Sequence, residues 1–119
     1  MNKFEAVILY SPFLTASNLK KREDSFKNQL SKVDGVIIAQ EDWGLKDLSY
    51  NIKSNKKAFY RFYQIEIEGN KIQEIKKTLI QNEKIIRCLF VKVKNHDELP
   101  TKQAIKESWV RIIYEIKRW

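Results

Sequence analysis

The sequence predicts an α+β domain in which one four-stranded antiparallel sheet carries two helices on a single face. Three observations point there. Hydrophobic periodicity alternates along the chain between a period of two and a period near 3.6. Glycines, prolines and short polar clusters fall at the changes of period rather than inside the periodic runs. The 119 residues, 43% of them hydrophobic, suit one domain with one modest core.

Lys3 to Tyr10 is rich in β-formers and reads as a first strand, stopped by Ser11-Pro12. Leu19, Phe26, Leu30 and Val33 then recur at helical spacing, with Lys20, Lys21, Arg22, Glu23 and Asp24 on the other faces. Ser17 or Thr15 is placed to cap this helix, and Gly35 stands where a C-terminal cap belongs. Val36 to Tyr50 is extended, and Trp43-Gly44 interrupts it as a bulge or kink would. Lys53-Ser54-Asn55-Lys56-Lys57 reads as a hairpin tip and Ala58 to Glu68 as a third strand. Gly69-Asn70 opens a second helix, with Asn70 as cap and Ile72, Ile75, Leu79 and Ile80 on its buried face. Ile85 to Lys94 is a fourth strand.

The order β-α-β-β-α-β is the ferredoxin-like split β-α-β pattern, over residues 1–94. It hosts many functions, so the fold alone decides little. Residues 95–119 form a polar linker, Asn95 to Pro100, and a C-terminal amphipathic helix, Thr101 to Trp119, with Ile105, Trp109, Ile112, Ile113 and Ile116 at helical spacing.

Strand parity sorts the two faces of the sheet. Phe4, Ala6 and Ile8, and likewise Tyr63, Ile65 and Ile67, point to the helices; Leu89, Val91 and Val93 are assigned to the same side. The opposite face then carries Val7, Leu9, Tyr60, Phe62 and Phe90, together with Cys88, Lys92 and Lys94. A contiguous exposed apolar patch marks a docking surface for a partner. The plain alternative is that the C-terminal helix folds back over it.

A net charge of +8 favours polyanionic partners, nucleic acid above all. Lys53, Lys56 and Lys57 cluster at the hairpin tip, and Arg61, Arg87, Lys92 and Lys94 are expected near the same edge of the sheet. Lysine ammoniums suit phosphates, and arginine adds forked contacts to phosphate or base edges. For any single lysine, ordinary solvation is the competing reading. No apolar run approaches the roughly 20 residues of a membrane span, and Ala6 to Tyr10 is too short for a signal-peptide core. With Cys88 as the one cysteine, an internal disulfide is impossible, and a soluble intracellular chain is expected. Cys88 itself lies in an apolar run and reads as a buried small hydrophobe.

Nothing favours catalysis, a cofactor or a metal. His96 is the single histidine and sits in a polar linker. Glu41 and Asp42 are adjacent in a strand and point to opposite faces, so they cannot readily share a proton. Three glycines make no phosphate-cradling loop.

Gly44-Leu45-Lys46, Leu48, Tyr50, Ile52-Lys53, then Ala58-Phe59, form a Gly-Leu-basic-x-Leu-x-Tyr-x-Ile-x-Lys run followed by a small and an aromatic residue. This resembles the family of bacterial ribosomal protein six of the small subunit. Phe4-Glu5, Tyr63 and Ile86-Arg87 add to the resemblance, which spans about residues 2–94. It implies a ferredoxin-like ribosomal protein without enzymatic activity or cofactor, in a bacterial cytoplasm or a mitochondrial matrix. It implies pairing with ribosomal protein eighteen through the sheet and the C-terminal tail, on the central domain of the small-subunit rRNA. RNA contacts would fall among basic residues such as Lys3, Lys53, Lys56, Arg87 and Lys92. Many relatives end in a disordered acidic tail, whereas this chain has the Ile105/Trp109/Ile112/Ile116 stripe, which is expected to dock on a neighbouring protein or on its own sheet.

Two rivals share the topology. An RNA-recognition motif would stack single-stranded bases on the aromatics of Lys57-Ala58-Phe59-Tyr60-Arg61-Phe62-Tyr63. A ligand-sensing ferredoxin-like dimer would need a polar pocket and would leave the lysine excess unexplained.

Overall fold

A computed structural model describes residues 2–52, 55–82 and 84–96, with the backbone alone for residues 49–52. Lys53, Trp109 and the expected helix from Thr101 to Trp119 lie outside the described residues. The elements run β1 (Asn2–Tyr10), α1 (Ala16–Lys32), β2 (Val36–Ile52), β3 (Asn55–Ile67), a 3-10 turn (Gly69–Lys71), α2 (Ile72–Gln81) and β4 (Ile85–Val93). The sheet order is β2-β3-β1-β4, and every neighbouring pair is antiparallel. The predicted ferredoxin-like topology is the observed one.

Alternation drives this layering. Phe4, Ala6, Ile8 and Tyr10 of β1 and Tyr63, Ile65 and Ile67 of β3 pack with Leu19, Phe26 and Leu30 of α1 and Ile72, Ile75 and Leu79 of α2. Fully burying each large side chain here contributes roughly 1.5–3 kcal/mol, so this layer supplies most of the drive to fold. Phe26 and Tyr63 meet with ring centroids 4.9 Å apart, and the Tyr63 and Tyr10 hydroxyls lie 3.2 Å apart in the same core. Burial pushes both phenol pKa values well above the ordinary tyrosine range.

The caps refine the sequence reading. Thr15 caps α1, its hydroxyl accepting from the Asn18 amide at 3.3 Å. At the other end the Gly35 amide donates to the Leu30 carbonyl at 2.7 Å and the Asp34 amide to Ser31 at 3.2 Å, a Schellman closure. The left-handed residue of that closure is Asp34, with φ 62°, not Gly35. Gly35 is needed for room instead, because a Cβ there would stand 3.1 Å from the Leu30 carbonyl oxygen and 3.2 Å from Ile67 Cδ1. Asn70 does not cap α2. It lies within the 3-10 turn, and the helix starts after Lys71 without a side-chain cap. Ile80, expected inside, is 41% exposed on the outer side of α2.

β4 overturns one parity assignment. Cys88 and Phe90 pack with the helix-side core, and Leu89 belongs to the opposite face. Ile85, Ile86, Arg87 and Cys88 are all buried, so this stretch offers no alternation to read. A register shift at Leu9/Tyr10 inserts Ile86 as an extra residue in the pairing. Anchoring parity on Lys92 misleads because Lys92 faces Phe4 at the far end of an edge strand, where the helix side is already exposed.

Candidate macromolecule-binding surfaces

The sheet face away from the helices holds a second apolar cluster: Val7 and Leu9 of β1, Trp43 of β2, Ala58, Tyr60 and Phe62 of β3, and Ile86 of β4, with Leu48 and Leu89 against it. The long hairpin builds its centre. In the β2–β3 register Asp42 faces Arg61 and Gly44 faces Tyr60, which leaves Trp43 as the extra residue of a bulge, as predicted. Gly44 has φ 81°, and a Cβ there would have open space, so the position demands conformation rather than room. The Gly44 amide donates to the Asp42 carboxylate at 2.7 Å, and the Trp43 indole N–H donates to Glu41 at 2.6 Å. The bulge thereby lays Trp43 flat on Phe62, with centroids 5.1 Å apart and planes 8° from parallel.

Val7, Leu9 and Tyr60 are 0% exposed and Phe62 is 1% exposed. The expectation of an open apolar patch is therefore corrected: the residues share the predicted face, but that face is closed. Phe90 leaves the set altogether for the helix side. Buried aromatics cannot stack on bases, which removes the feature that suggested an RNA-recognition motif. Trp43 and Ile86 are members of this cluster that the sequence reading passed over. Their signal was the bulge itself, since an extra residue in a strand re-aims a side chain.

The basic residues do not gather along one edge. Arg61 points to the helix side and is 12% exposed in its side chain. Its Nε lies 2.6 Å from Glu23 Oε1 and its Nη1 2.5 Å from Asp42 Oδ1. It serves as an interior strut between α1, β2 and β3 rather than as an open cation. Arg87 is 6% exposed and likewise presents no open guanidinium. The lysines divide between the two ends of the sheet. Lys3 pairs with Val93, which brings it to the end of the sheet where β1 begins and β4 ends, on the face opposite to Lys92, the partner of Phe4, and Lys94. Lys56 and Lys57 stand on the opposite projection of the hairpin, beyond Tyr10 and Phe59. Along a strand, Lys3 and the Leu9–Arg87 level are roughly 20 Å apart. Lys57 pairs with Asp47 at 3.7 Å on the exposed surface. Lys46 joins this hairpin end, its ammonium 5.8 Å from the Tyr60 ring centroid. It was read only as a motif residue, and its place among the hairpin lysines depends on the register with Ala58.

Glu41 and Asp42 do point to opposite faces, the first toward the Trp43 indole and the second toward Arg61. His96 has a structural part: its Nε2 donates to the Phe4 carbonyl at 3.1 Å, tying the chain after β4 to the start of β1. Cys88 is buried. Among the described residues no group of carboxylates, histidines and cysteines is arranged to hold a metal ion, and no helix is long and apolar enough to cross a membrane.

Comparison with known proteins sets this architecture in context. The family model described as Ribosomal protein S6 matches residues 3–92. The chain is similar to the small ribosomal subunit protein bS6 of Rickettsia felis, 32% identical over 108 residues that cover 91% of this chain and 88% of the relative. It is 36% identical to the bS6 protein of Rickettsia canadensis over 77% of this chain and 76% of that one. With the Flavobacterium psychrophilum bS6 protein it shares 27% identity, covering 81% and 85% of the two chains. The crystal structure of 30S ribosomal protein S6 from Thermotoga maritima superposes with a TM-score of 0.72 at 15% identity, covering 94% of this chain and 97% of that one, which is a likeness of fold.

Proposed function

From the premise that the chain belongs to the ribosomal protein S6 family, a structural and non-enzymatic constituent of the small ribosomal subunit, we propose that it binds small-subunit rRNA of the central domain together with ribosomal protein eighteen. The carrying observation is the convergence of Lys3, Lys92 and Lys94 at one end of the sheet through the β1–β4 register. Lys3 stands on one face of that sheet end and Lys92, opposite Phe4, with Lys94 on the other, so phosphates passing around the end of the sheet would meet flexible ammoniums on both sides, as no isolated lysine allows. Lys46, Lys56 and Lys57 give a second positive point at the hairpin end, so the protein would bridge two stretches of backbone. Arg61 and Arg87 drop out of the contact set because they are interior.

Because Val7, Leu9, Tyr60 and Phe62 are buried, we place the protein partner at the exposed margin of their face, where Val91 is 37% exposed, and the compartment is that of a bacterial-type ribosome. The test is sucrose-gradient co-migration with small subunits across a salt series. The Lys3→Glu/Lys92→Glu/Lys94→Glu variant should leave the subunit at lower salt than the parent, with the dependence of log K on log salt shallower by about 2–3, near one for each phosphate lost. A Lys20→Glu/Lys21→Glu variant on the outer face of α1 should behave as the parent. Identical release of parent and triple variant would remove the sheet end from the RNA contact.

A further inference from the structure

Among the described residues Phe13 is the most exposed large apolar side chain, at 84%. A ring left in water forgoes the gain of burying it, and the next residue, Leu14, does pack against the helix-side core. The exposure belongs to a pinned turn. The Ser11 amide donates to the Lys84 carbonyl at 2.8 Å, the Leu14 amide to the Ser11 carbonyl at 3.3 Å, and the Phe13 amide to the Ser11 hydroxyl at 3.3 Å. Thr15 then caps α1. The backbone is thus fixed on both sides of Phe13, and a ligand would have only the ring's two torsions to order.

The surroundings are cationic. The Ser11 hydrogen bond brings exposed Lys84 to the base of the turn. Tyr10, the last residue of β1, pairs with Phe59, and exposed Lys57 lies two residues before Phe59 in β3. Alternation puts Lys57 on the same side of the sheet as Phe59, which packs against the helix-side core. That is also the side to which the chain turns after Tyr10 to enter α1. Phe13 therefore projects at the end of the sheet that carries Lys46, Lys56, Lys57 and Lys84, with Asp47, the ion-pair partner of Lys57, set against them.

A protein partner would need an apolar centre of several residues. The turn does not offer one: Ser11 is buried, Pro12 and Leu14 are half-buried, Thr15 is polar, and exposed Leu45 at that end belongs to β2, two strands from β1. A single flat ring among ammoniums fits a single flat ring framed by negative charge, which is a nucleic-acid base with its phosphates. We propose that Phe13 stacks on one unpaired base of RNA, with Lys57 and Lys84 on the flanking phosphates. This rests on the ribosomal reading above and deepens it, since the hairpin end would then take an unpaired nucleotide rather than backbone alone.

The test is photocrosslinking in intact small subunits, with p-azidophenylalanine in place of Phe13 in the full chain. Irradiation should join the protein to rRNA at an unpaired nucleotide, read as a stop in reverse transcription. The same photoreactive residue in place of Asp24, exposed midway along α1, should give no such stop. A crosslink to protein alone or to a paired nucleotide, or none at all in a chain that co-migrates with small subunits, overturns the stacking and leaves the ribosomal reading standing. A chain that does not co-migrate overturns both. Affinity gives a second readout. Phe13→Ala should weaken retention on subunits roughly tenfold at every salt concentration, with the salt dependence unchanged because no charge is lost. Phe13→Trp should hold as the parent does. Phe13→Leu keeps an apolar side chain without a flat ring, so parent-like retention of Phe13→Ala or Phe13→Leu would overturn the assignment.

Discussion

The two faces of the sheet reach the same dryness by different means. On the helix side, Ile8 and Tyr63 are sealed by α1 and α2, which follow β1 and β3 in the chain and are fixed by short connections. On the other side, Leu9 and Phe62 are equally buried, though the described part of that layer consists of strand residues alone. Exposure values alone do not say what closes a face. On the first, the closing elements are helices joined to the strands by short connections, whereas on the second the described contribution comes from the β2 bulge, which lays Trp43 over Phe62.

That contrast is sharpest in stability. Phe26→Ala should cost about 3–5 kcal/mol, since it empties a site closed by the helices. Phe62→Ala should cost a comparable amount in the parent but less in a Trp43→Ala background, where the indole stacked on it is already gone. Urea denaturation of the single and double variants checks this, and fully additive penalties for Trp43→Ala and Phe62→Ala would deny that the bulge closes the second site.

A smaller effect reports on the helix-side core through pH. Tyr10 and Tyr63 share the helix-side core, and burial raises the pKa of both. Below the ordinary tyrosine pKa of about 10 both hydroxyls are neutral whether the chain is folded or not, and the pair's contribution is fully present. Above it, the unfolded chain ionises while the folded one resists. Stability should then fall with rising pH by up to about 1.4 kcal/mol per unit for each tyrosine. Tyr10→Phe/Tyr63→Phe should flatten the decline between pH 10 and 11, as read from denaturation midpoints. A decline of the same steepness in the double variant would assign alkaline sensitivity elsewhere.

The element order was legible in the sequence because periodicity and punctuation coincide. Parity in β1 and β3 was legible because apolar residues alternate there with Glu66, Glu68 or Lys3. What stayed hidden was whatever depends on partners distant in the chain. Nothing local says that β4 is dry on both faces through Ile85 to Cys88, so its parity came out inverted. Nothing local says that Arg61 will meet Glu23 and Asp42, or that Lys3 will reach the same end of the sheet as Lys92 while Lys56 sits at the opposite end. Those are consequences of antiparallel register. The cap at Asp34 shows a subtler limit. Gly35 stands where a cap belongs, but it serves by its lack of a Cβ beside Leu30 and Ile67, and the left-handed residue is Asp34, one position before.

Thiol labelling offers the most direct test of the claim that both faces of the sheet are closed. In a Cys88→Ala background, Ile8→Cys and Leu9→Cys place single thiols on opposite faces of the same strand, both at positions fully buried in the parent. Both should resist a water-soluble reagent in the folded protein and label together as denaturant unfolds it. Rapid labelling of Leu9→Cys in the folded protein, with Ile8→Cys still protected, would contradict the closure of the second face.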